Sequence, residues 1–385
     1  MKLDPEDIKI CTSIAAPQGV SEPVPPSITQ TSLFTFPTFE KLIEAFGDEN
    51  SSQLYSRGRN PTVGVLEDKL AKLERGEDCK VFASGMGAIS AAFMGLLSAG
   101  DHVLFINQIY GPTLQLADHL TRFGVTFDHL SGTDINAVEA ALRPETRLIW
   151  MESPGTMTFG ELDIRAICTL ANERHIMTGI DNTWATPLLQ KPLTMGVDIV
   201  AHSCSKYIGG HSDVVAGALV SHKELIEQIF YRAFLLNGAA IGPWDAWLIL
   251  RGLRTLPNRL REHEESALAI IDFLSSHPRV AAVHHPATNP AQKTLNQLAG
   301  YTGLLSFTIK DARFREVCRF LNALRIFHIG VSWGGFESLA LSPNKGHNEA
   351  DLVEAGVPAG LVRISVGLEG AQALIDDLTQ ALEQA

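Results

Sequence analysis

The sequence predicts an α/β protein in which a mostly parallel sheet is covered by helices on both faces and is followed by a smaller α+β domain. Its 385 residues suffice for two or three domains. From Pro61 onward, short apolar runs alternate with helical patterns. The runs are continuously apolar, which is typical of strands buried on both faces. Near residue 240 the pattern changes to one very long helical stretch, which indicates the start of the smaller domain.

The first 54 residues are predicted to form an arm rather than part of either domain. Prolines recur between Pro17 and Pro37, and proline is excluded from central strands and helix interiors. The stretch is also rich in serine and threonine, so a flexible tail is one interpretation. We favour an extended arm that packs on another surface, such as a neighbouring subunit, because large apolar residues would otherwise face water. These residues are Ile28, Leu33, Phe34, Phe36 and Phe39.

The large domain is predicted to span residues 55–245. It begins with a helical pattern over 63–76 that ends at Gly76, a residue type that commonly follows a helix. A second helix is predicted at Ala88–Leu97. The predicted strands are Lys80–Ala83, His102–Ile106, Val125–His129, Arg147–Met151, Ile176–Ile180, Ile199–Ala201 and Gly217–Val220.

The small domain is predicted to span residues 246–385. The pattern from Trp244 to Pro278 indicates one long helix or a bent pair of helices. Pro257 is the expected bend, because proline removes a hydrogen bond from the helix. The elements expected after it are strands at Leu304–Ile309 and Leu361–Val366 and a final helix over 371–384.

Composition and charge exclude several classes of protein. Hydrophobic residues make up 45% and charged residues 19%, which is ordinary for a globular protein. The formal net charge of −12 argues against nucleic acid and anionic membranes as partners, and no apolar run approaches the roughly 20 residues of a membrane span. The five cysteines lack CxxC spacing and the N-terminus has no signal pattern, so we expect a cytoplasmic protein with reduced thiols.

The densest chemical signal is AHSCSKYIGGHSDVVAG at residues 201–217. An apolar strand runs into a polar loop that holds Ser203, Ser205 and Lys206. A surface lysine is the ordinary interpretation, but lysine is unusual at the carboxyl edge of a sheet. S-x-x-K also occurs in serine β-lactamases, whose partner motifs are missing here. The nearby His and Cys residues lack further metal ligands at standard spacing, so we predict no bound metal.

Two further features precede this loop. Asp181 ends an apolar strand in TGIDNTWATP, where a carboxylate is either a helix N-cap or a functional acid. If Lys206 lies one strand further along the sheet, both side chains enter the crevice where α/β sheets bind ligands. The turn ASGMGAIS at 83–90 links a strand to a helix, and its free N–H groups suit a single phosphate better than a pyrophosphate. A helix start without a ligand is the alternative.

Together these features indicate one cofactor. A phosphate-bearing aldehyde with a basic ring nitrogen needs a lysine that reacts with the aldehyde, a carboxylate at the ring nitrogen and donors for the phosphate. The strand-end lysine, the strand-end aspartate and the phosphate turn provide this set. We therefore predict pyridoxal 5′-phosphate as the cofactor.

Six motifs occur in the order of a known family. They are YSRGRNPTVGVLE (55–67), ASGMGAIS (83–90), ESPGTMTFGELDI (152–164), GIDNTWATP (179–187), AHSCSKYIGGHSDVVAG (201–217) and SWGGFESLA (332–340). With them the chain resembles, over nearly its whole length, the Cys/Met-metabolism pyridoxal-phosphate enzymes, which carry out trans-sulfuration. The resemblance implies the type I, aspartate-aminotransferase-like fold. It also implies a homotetramer of two catalytic dimers, in which the N-terminal arm wraps a partner.

The resemblance also implies the residues of the cofactor site. Lys206 would be the Schiff-base lysine, and Asp181 would pair with the pyridinium nitrogen. Tyr110 would stack on the ring and assist near the leaving group. The residues implied to hold the phosphate are Gly85 and Met86 through their N–H groups, Ser203 and Ser205 through their hydroxyls, and Tyr55 and Arg57 from a neighbouring subunit.

For the substrate, the resemblance implies that Arg363 clamps the α-carboxylate as a bidentate fork. Ser332 and Trp333 would lie beside it, and Tyr55 of the neighbouring subunit would also reach the substrate. The resemblance therefore implies that the substrate is an amino acid.

Within the family, the pattern favours cystathionine β-lyase, an enzyme of methionine biosynthesis. Trp333 stands where γ-acting relatives usually have a smaller aliphatic residue, Val331 where several have glutamate, and Thr156 near where asparagine is common. Because no acid stands at Val331, recognition of the second amino group of cystathionine is unexplained, and other cysteine S-conjugates are expected substrates as well.

Three alternatives remain open within the same family, namely cystathionine γ-lyase, methionine γ-lyase and cystathionine γ-synthase. From a different class of protein, a non-catalytic protein that only binds pyridoxal phosphate is the remote alternative. The intact set of Lys206, Asp181, Tyr110 and Arg363 argues against it.

Overall fold

The computed structural model describes residues 1–14, 23–132, 134–289 and 295–385. Two β-sheets form the architecture, and one long helix connects them. The first sheet has seven strands and the second has five. This is the α/β arrangement that the sequence predicts, with the larger sheet first.

The large sheet has the strand order β1-β7-β6-β5-β4-β2-β3. Within the described residues, β7 runs antiparallel to both of its neighbours, and the other neighbouring pairs are parallel. Every strand predicted for this sheet is present, with ends shifted by at most two residues. The strands are β1 Asp78–Phe82, β2 His102–Ile106, β3 Thr126–Leu130, β4 Thr146–Glu152, β5 Met177–Asp181, β6 Ile199–Ser203 and β7 Gly217–Ser221.

Helices cover both faces of this sheet, which explains the continuously apolar strands. In β2, Val103 and Phe105 pack into the core beneath the helices Gly85–Leu96 (α4) and Lys223–Ile229 (α9). Leu104 and Ile106 pack on the opposite face, into the core beneath the helix Ile164–Glu173 (α7). A π-helical turn at Phe230–Phe234 joins α9 to α10. The helices in this part of the chain are α1 Pro5–Thr12, α2 Phe39–Phe46, α3 Pro61–Glu74, α4 Gly85–Leu96, α5 Gly111–Leu120, α6 Ile135–Ala141, α7 Ile164–Glu173, α8 Thr186–Leu189, α9 Lys223–Ile229 and α10 Leu235–Asn237.

The long helix α11, Pro243–Ser276, is a single element with Pro257 inside it. Of the two expected arrangements, the continuous helix is therefore the observed one. Because Pro257 lacks an N–H group, it interrupts the hydrogen-bond ladder without ending the helix. The helix packs against α3, which lies on the large sheet, and against two strands of the smaller sheet, β8 (Val280–His284) and β9 (Leu304–Ile309).

The smaller sheet has the strand order β10-β11-β12-β9-β8. Its strands pair antiparallel except β10 and β11, which are parallel. The strands are β8 Val280–His284, β9 Leu304–Ile309, β10 His328–Ile329, β11 Leu339–Leu341 and β12 Leu361–Ser365. The helices that accompany them are α12 Phe314–Ala323, α13 Glu349–Glu354 and α14 Ala371–Leu382. No helix in the described ranges is long and apolar enough to cross a membrane.

The N-terminal arm is not extended throughout, contrary to the sequence-based expectation. It contains α1 and α2, and α1 packs on α3 and α11 of its own chain with Cys11 fully buried. Residues 15–22, which include Pro17, lie outside the described residues. Further along, the indole N–H of Trp247 donates to the carbonyl of Pro26 at 3.1 Å. In α2, three large apolar residues at helical spacing are exposed: Phe39, Ile43 and Phe46.

The helix before β1 ends in a different way from the expected one. The left-handed residue is Arg75, with φ 63°, and not Gly76. Gly76 is needed for space instead, because a Cβ there would lie 2.5 Å from Cγ1 of Val220.

One contact between α11 and the loop after β6 positions the residues that follow that strand. At Gly252 the helix touches the loop backbone, and a Cβ there would lie 2.0 Å from the carbonyl oxygen of Gly209. The buried guanidinium of Arg259 donates to the carbonyls of Tyr207 at 2.8 Å and Gly252 at 2.9 Å. The loop that begins at Cys204 is therefore held directly by the connecting helix.

We predict that Gly252→Ala destabilises the protein by roughly 1–3 kcal/mol, because the added methyl group overpacks a backbone contact. The matched control is Gly64→Ala in α3, where a Cβ has no neighbour within 4 Å. That control should be stabilising by roughly 0.5–1 kcal/mol, since alanine favours a helix interior more than glycine does. Thermal and denaturant unfolding of both variants measures the difference, and equal midpoints would contradict the predicted contact.

Candidate active site

A cavity of ≈ 580 Å³ opens at the carboxyl ends of β4, β5 and β6. This is the edge at which ligands bind in open α/β sheets. Residues from the smaller sheet's domain close its other side. The residues predicted for the site that line it are Gly85, Met86, Tyr110, Asp181, Ser203, Ser205, Lys206, Ser332, Trp333 and Arg363.

Lys206 lies in the loop after β6, and its amine reaches the smaller domain. Nζ donates a hydrogen bond to Oγ of Ser332 at 2.7 Å and lies 5.4 Å from the ring centroid of Trp333. Burial, with a smaller contribution from the Arg363 charge, lowers the pKa of Lys206 from 10.5 to about 8, and Asp181 opposes this shift. The amine is therefore much closer to its neutral, nucleophilic form at physiological pH than an exposed lysine is.

Asp181 ends β5, which is the parallel neighbour of β6. Lys206 therefore follows the strand next to that of Asp181, which was the condition for the two side chains to share one crevice. Both residues line the same cavity. Oδ1 of Asp181 accepts hydrogen bonds from the backbone N–H of Thr183, at 3.0 Å, and from the Thr183 hydroxyl. In the described residues no hydrogen bond is formed to Oδ2. Burial raises the pKa of Asp181, and the Thr183 donors oppose that rise.

The phosphate turn is the N-terminus of α4. Ser84 caps this helix by accepting a hydrogen bond from the N–H of Gly87 at 2.9 Å. Helix geometry leaves the N–H groups of Gly85 and Met86 without acceptors inside the helix. A Cβ at Gly85 would lie 3.0 Å from Cβ of Ser203, so glycine allows β6 to approach the turn. The positive end of the helix therefore faces the cavity beside a serine hydroxyl.

Ser205 also lines the cavity, but its hydroxyl is engaged by the backbone. It donates to the carbonyl of Ala216 at 3.2 Å and accepts from the N–H of Ala216 at 2.9 Å. To bind a phosphate at this position, the Ser205 hydroxyl would have to donate its hydrogen bond to the phosphate instead of to the carbonyl of Ala216.

Arg363 lies on β12, with only 7% of its surface exposed. Its Nη2 donates to the carbonyl of Val331 at 3.1 Å. It forms no ion pair with any Asp or Glu in the described part of the chain. Burial lowers the pKa of Arg363 to about 10, which still leaves the guanidinium charged at neutral pH. A buried cation at a cavity wall without a carboxylate partner is suited to bind an anionic ligand.

Three residues predicted for the site lie at the surface of the cavity or away from it. Tyr110 is the residue before α5 and is 47% exposed at the cavity. Tyr55 and Arg57 do not line the cavity of their own chain. They contact each other instead, with the Arg57 guanidinium carbon 5.7 Å from the centre of the Tyr55 ring.

Some polar residues of the cavity wall were not assigned to the site from the sequence, among them Glu152, Thr183 and Glu337. Glu152 ends β4, and its Oε2 accepts a hydrogen bond from the N–H of Tyr110 at 2.8 Å. Thr183 supports both Asp181 and the N–H of Ser203, at 2.7 Å. Glu337 accepts from the hydroxyl of Ser212. Glu152 follows an apolar run just as Asp181 does, so the same signal could have identified it.

The chemistry of this set fits a phosphate-bearing pyridine aldehyde. Free N–H groups at the start of α4 suit the phosphate, the free Oδ2 of Asp181 suits a protonated ring nitrogen, and the amine of Lys206 suits the aldehyde. Arg363 remains available for the carboxylate of an amino acid. Gly85 provides the space in which the phosphate turn and β6 come together.

Comparison with known proteins gives a consistent result. Residues 11–383 match the sequence model of the family described as Cys/Met metabolism PLP-dependent enzyme. The chain is 38% identical over 367 residues to L-methionine gamma-lyase of Fusobacterium nucleatum, with 93% of each chain covered. It is 42% identical over 337 residues to cystathionine gamma-synthase of Mycobacterium tuberculosis, covering 85% of this chain and 86% of the relative. The crystal structure of metB from Corynebacterium glutamicum superposes with a TM-score of 0.90 at 31% identity, over 99% of both chains.

We predict that the cofactor-free chain captures pyridoxal phosphate covalently at a rate that rises with pH and levels off above about 8, the pKa of Lys206. A lysine with its usual pKa would still gain reactivity above pH 10. Asp181→Asn should lower the midpoint of this pH profile, because the negative charge that favours the ammonium form is lost. Capture is measured by borohydride reduction followed by mass spectrometry of the peptide that contains Lys206.

Lys206→Ala is the control for this experiment and should retain no covalently bound cofactor after reduction. Efficient capture at another lysine in that variant, or a midpoint near pH 10 in the unsubstituted chain, would contradict the assignment of Lys206.

Proposed function

The chain belongs to the Cys/Met metabolism family of pyridoxal-phosphate-dependent enzymes, and we propose that within this family it is a carbon–sulfur β-lyase. Membership confirms the recognised family, the type I fold and the cofactor. The proposed reaction is α,β-elimination of L-cystathionine, which with water gives homocysteine, pyruvate and ammonia. Other cysteine S-conjugates are proposed as further substrates.

Substrate binding is assigned to the wall formed by the smaller domain. Arg363 would hold the α-carboxylate in a bidentate contact, since its guanidinium is buried and has no carboxylate partner in the described residues. This contact fixes the plane of the amino acid, so that its Cα–H bond is directed towards Lys206. The indole of Trp333 lines the same side of the cavity, 5.4 Å from the amine of Lys206.

Proton transfer is assigned to Lys206. When bound, the cofactor supplies an electron sink that makes the Cα proton acidic. The amine of Lys206 would remove that proton, and its lowered pKa of about 8 makes it an effective base near neutral pH. Asp181 would hold a proton on the ring nitrogen, and Thr183 keeps its carboxylate in place through two hydrogen bonds to Oδ1.

The observation that carries the choice of β-elimination is the position of Trp333. Its ring lies 5.4 Å from the amine of Lys206, and Ser332 accepts a hydrogen bond from the same amine. γ-Elimination requires removal of a second proton, at Cβ, before the leaving group departs. An amine restrained by Ser332 and flanked by an indole is better placed to serve Cα alone, which supports β-elimination.

The second candidate is a γ-acting enzyme, and the relatives favour it. The similar proteins are named L-methionine gamma-lyase and cystathionine gamma-synthase. Their identities of 38% and 42% extend over most of the chain, so the family resemblance alone does not distinguish β from γ chemistry.

The products of L-cystathionine distinguish the two candidates. We expect pyruvate and homocysteine, whereas a γ-lyase releases 2-oxobutyrate and cysteine. L-Methionine is the matched second substrate, because it has no leaving group at Cβ and should not be cleaved by a β-lyase. Trp333→Leu should raise the fraction of 2-oxobutyrate by freeing the amine. Cleavage of methionine by the unsubstituted enzyme, with 2-oxobutyrate as product, would establish the γ assignment.

Arg363→Lys should reduce kcat/KM for cystathionine roughly 10²-fold, because a flexible point charge cannot replace a bidentate contact worth about 3 kcal/mol. The absorption spectrum of the bound cofactor should stay unchanged. If Arg363 were structural only, the variant would lose thermal stability and keep its kcat/KM, so both quantities should be measured together.

A homotetramer in the cytoplasm is the proposed assembly and location. Tyr55 and Arg57 lie away from the cavity of their own chain, which supports a role at the phosphate of a neighbouring subunit. The exposed stripe Phe39, Ile43 and Phe46 on α2 supports contact of the arm with a partner.

Mixing an Arg57→Ala chain with a Lys206→Ala chain should restore part of the activity, because some hybrid sites then contain both intact residues. Each variant alone should be much less active than the unsubstituted enzyme. Hybrids verified by native mass spectrometry that remain inactive would show that the site is not shared between subunits.

A further inference from the structure

Two carboxyl groups end neighbouring strands in the cavity wall. Glu152 is the last residue of β4 and Asp181 is the last residue of β5, and the two are paired in register in the parallel ladder. Neighbouring strands are about 4.8 Å apart, and paired residues direct their side chains to the same face. Both side chains line the cavity. Two carboxylates so close in a largely buried wall cannot both ionise at low cost.

The surroundings of the two groups differ. Asp181 receives two hydrogen bonds from Thr183, and the imidazole of His202 on β6 and the amine of Lys206 also favour its ionised form. Glu152 receives hydrogen bonds from the N–H of Tyr110, before α5, and from the side chain of Thr156, after β4. The charged groups that act on Glu152 are Asp181 on β5 and Arg363 on β12. No Lys or Arg in the described residues forms an ion pair with Glu152.

We propose that Glu152 stays protonated at neutral pH and acts as a positioning residue, so that Asp181 carries the single negative charge at the ring-nitrogen end of the cavity. The neutral carboxyl still accepts from the N–H of Tyr110 and so fixes the residue expected to cover the cofactor ring. It also leaves Arg363 free, because an ionised Glu152 would compete with the substrate carboxylate for the same guanidinium.

The pKa directions agree with this geometry. Burial raises the pKa of Glu152 well above its usual value, and the charge of Asp181 raises it further. The N–H of Tyr110, the Thr156 hydroxyl and Arg363 oppose that rise. The positive ring nitrogen of the family's cofactor would favour ionisation of Asp181, its expected partner, and thereby reinforce the difference. The inference rests on the cofactor and not on the choice between β- and γ-elimination.

Infrared spectroscopy of the holoenzyme labelled with ¹³C at glutamate carboxyls tests the protonation state directly. We expect a protonated-carboxyl band that shifts with the label and in D₂O at neutral pH, and that loses intensity in Glu152→Gln. Glu161→Gln is the control, because burial also raises the pKa of this carboxyl, to about 7. This control should remove a different part of the band. An unchanged band in Glu152→Gln would overturn the proposal.

Kinetics and spectra give an independent readout. Glutamine keeps the acceptor for Tyr110 and carries no charge, so Glu152→Gln should keep the cofactor spectrum, and KM should stay within about threefold. Glu152→Met removes the acceptor and should alter the cofactor spectrum through Tyr110. A tenfold or larger decrease in KM in Glu152→Gln would show that the native group is ionised and competes for Arg363, which overturns the proposal.

Asp181→Asn provides a test that does not change Glu152. Loss of the neighbouring negative charge should let Glu152 ionise at lower pH. Part of the labelled band should therefore lose its intensity at a lower pH than in the unsubstituted protein. A band whose titration does not respond to Asp181→Asn would contradict the coupling of the two carboxyls. These infrared results are independent of the keto acid that the enzyme releases.

Discussion

The parallel, in-register pairing of β4, β5 and β6 is the constraint on which the site depends. Because these strands end together, Glu152, Asp181 and the loop with Lys206 meet at one edge of the sheet. The chemistry therefore requires no unusual backbone in the strands themselves. What it requires is burial on both faces, since the helices that pack on the two faces hold the strands aligned.

Burial then determines the properties of the individual groups. It lowers the pKa values of Lys206 and Arg363 and raises those of Asp181 and Glu152, so each group is shifted towards its neutral form. The cavity thus contains cations and acids that do not neutralise one another in close ion pairs. A ligand that carries a phosphate, a carboxylate and a basic nitrogen provides the partners that these groups lack.

The sequence alone predicts the strands well, because a short, continuously apolar run between two helical patterns is typical of a strand buried on both faces. It also predicts that Asp181 and Lys206 share a crevice, since the position of a residue at a strand end follows from the order of elements. It does not predict that Ser332 and Arg363 reach the same cavity. They come from the smaller domain, more than 120 positions after Lys206, and only the family resemblance pointed to them. Glu152 was overlooked because an acid after an apolar run is usually a solvated strand end.

The contact between α11 and the loop after β6 has a mechanical consequence. The helix contacts that loop at Gly252 and Arg259, and further along it enters the core of the smaller domain at Ile270 and Leu274. Its first half is held by that loop, because the helix backbone at Gly252 touches the loop backbone at Gly209. A rotation of the smaller domain that widens the cavity must therefore pivot beyond Arg259. Such a hinge would carry Arg363 and Ser332 away from Lys206 while the lysine stays with the sheet.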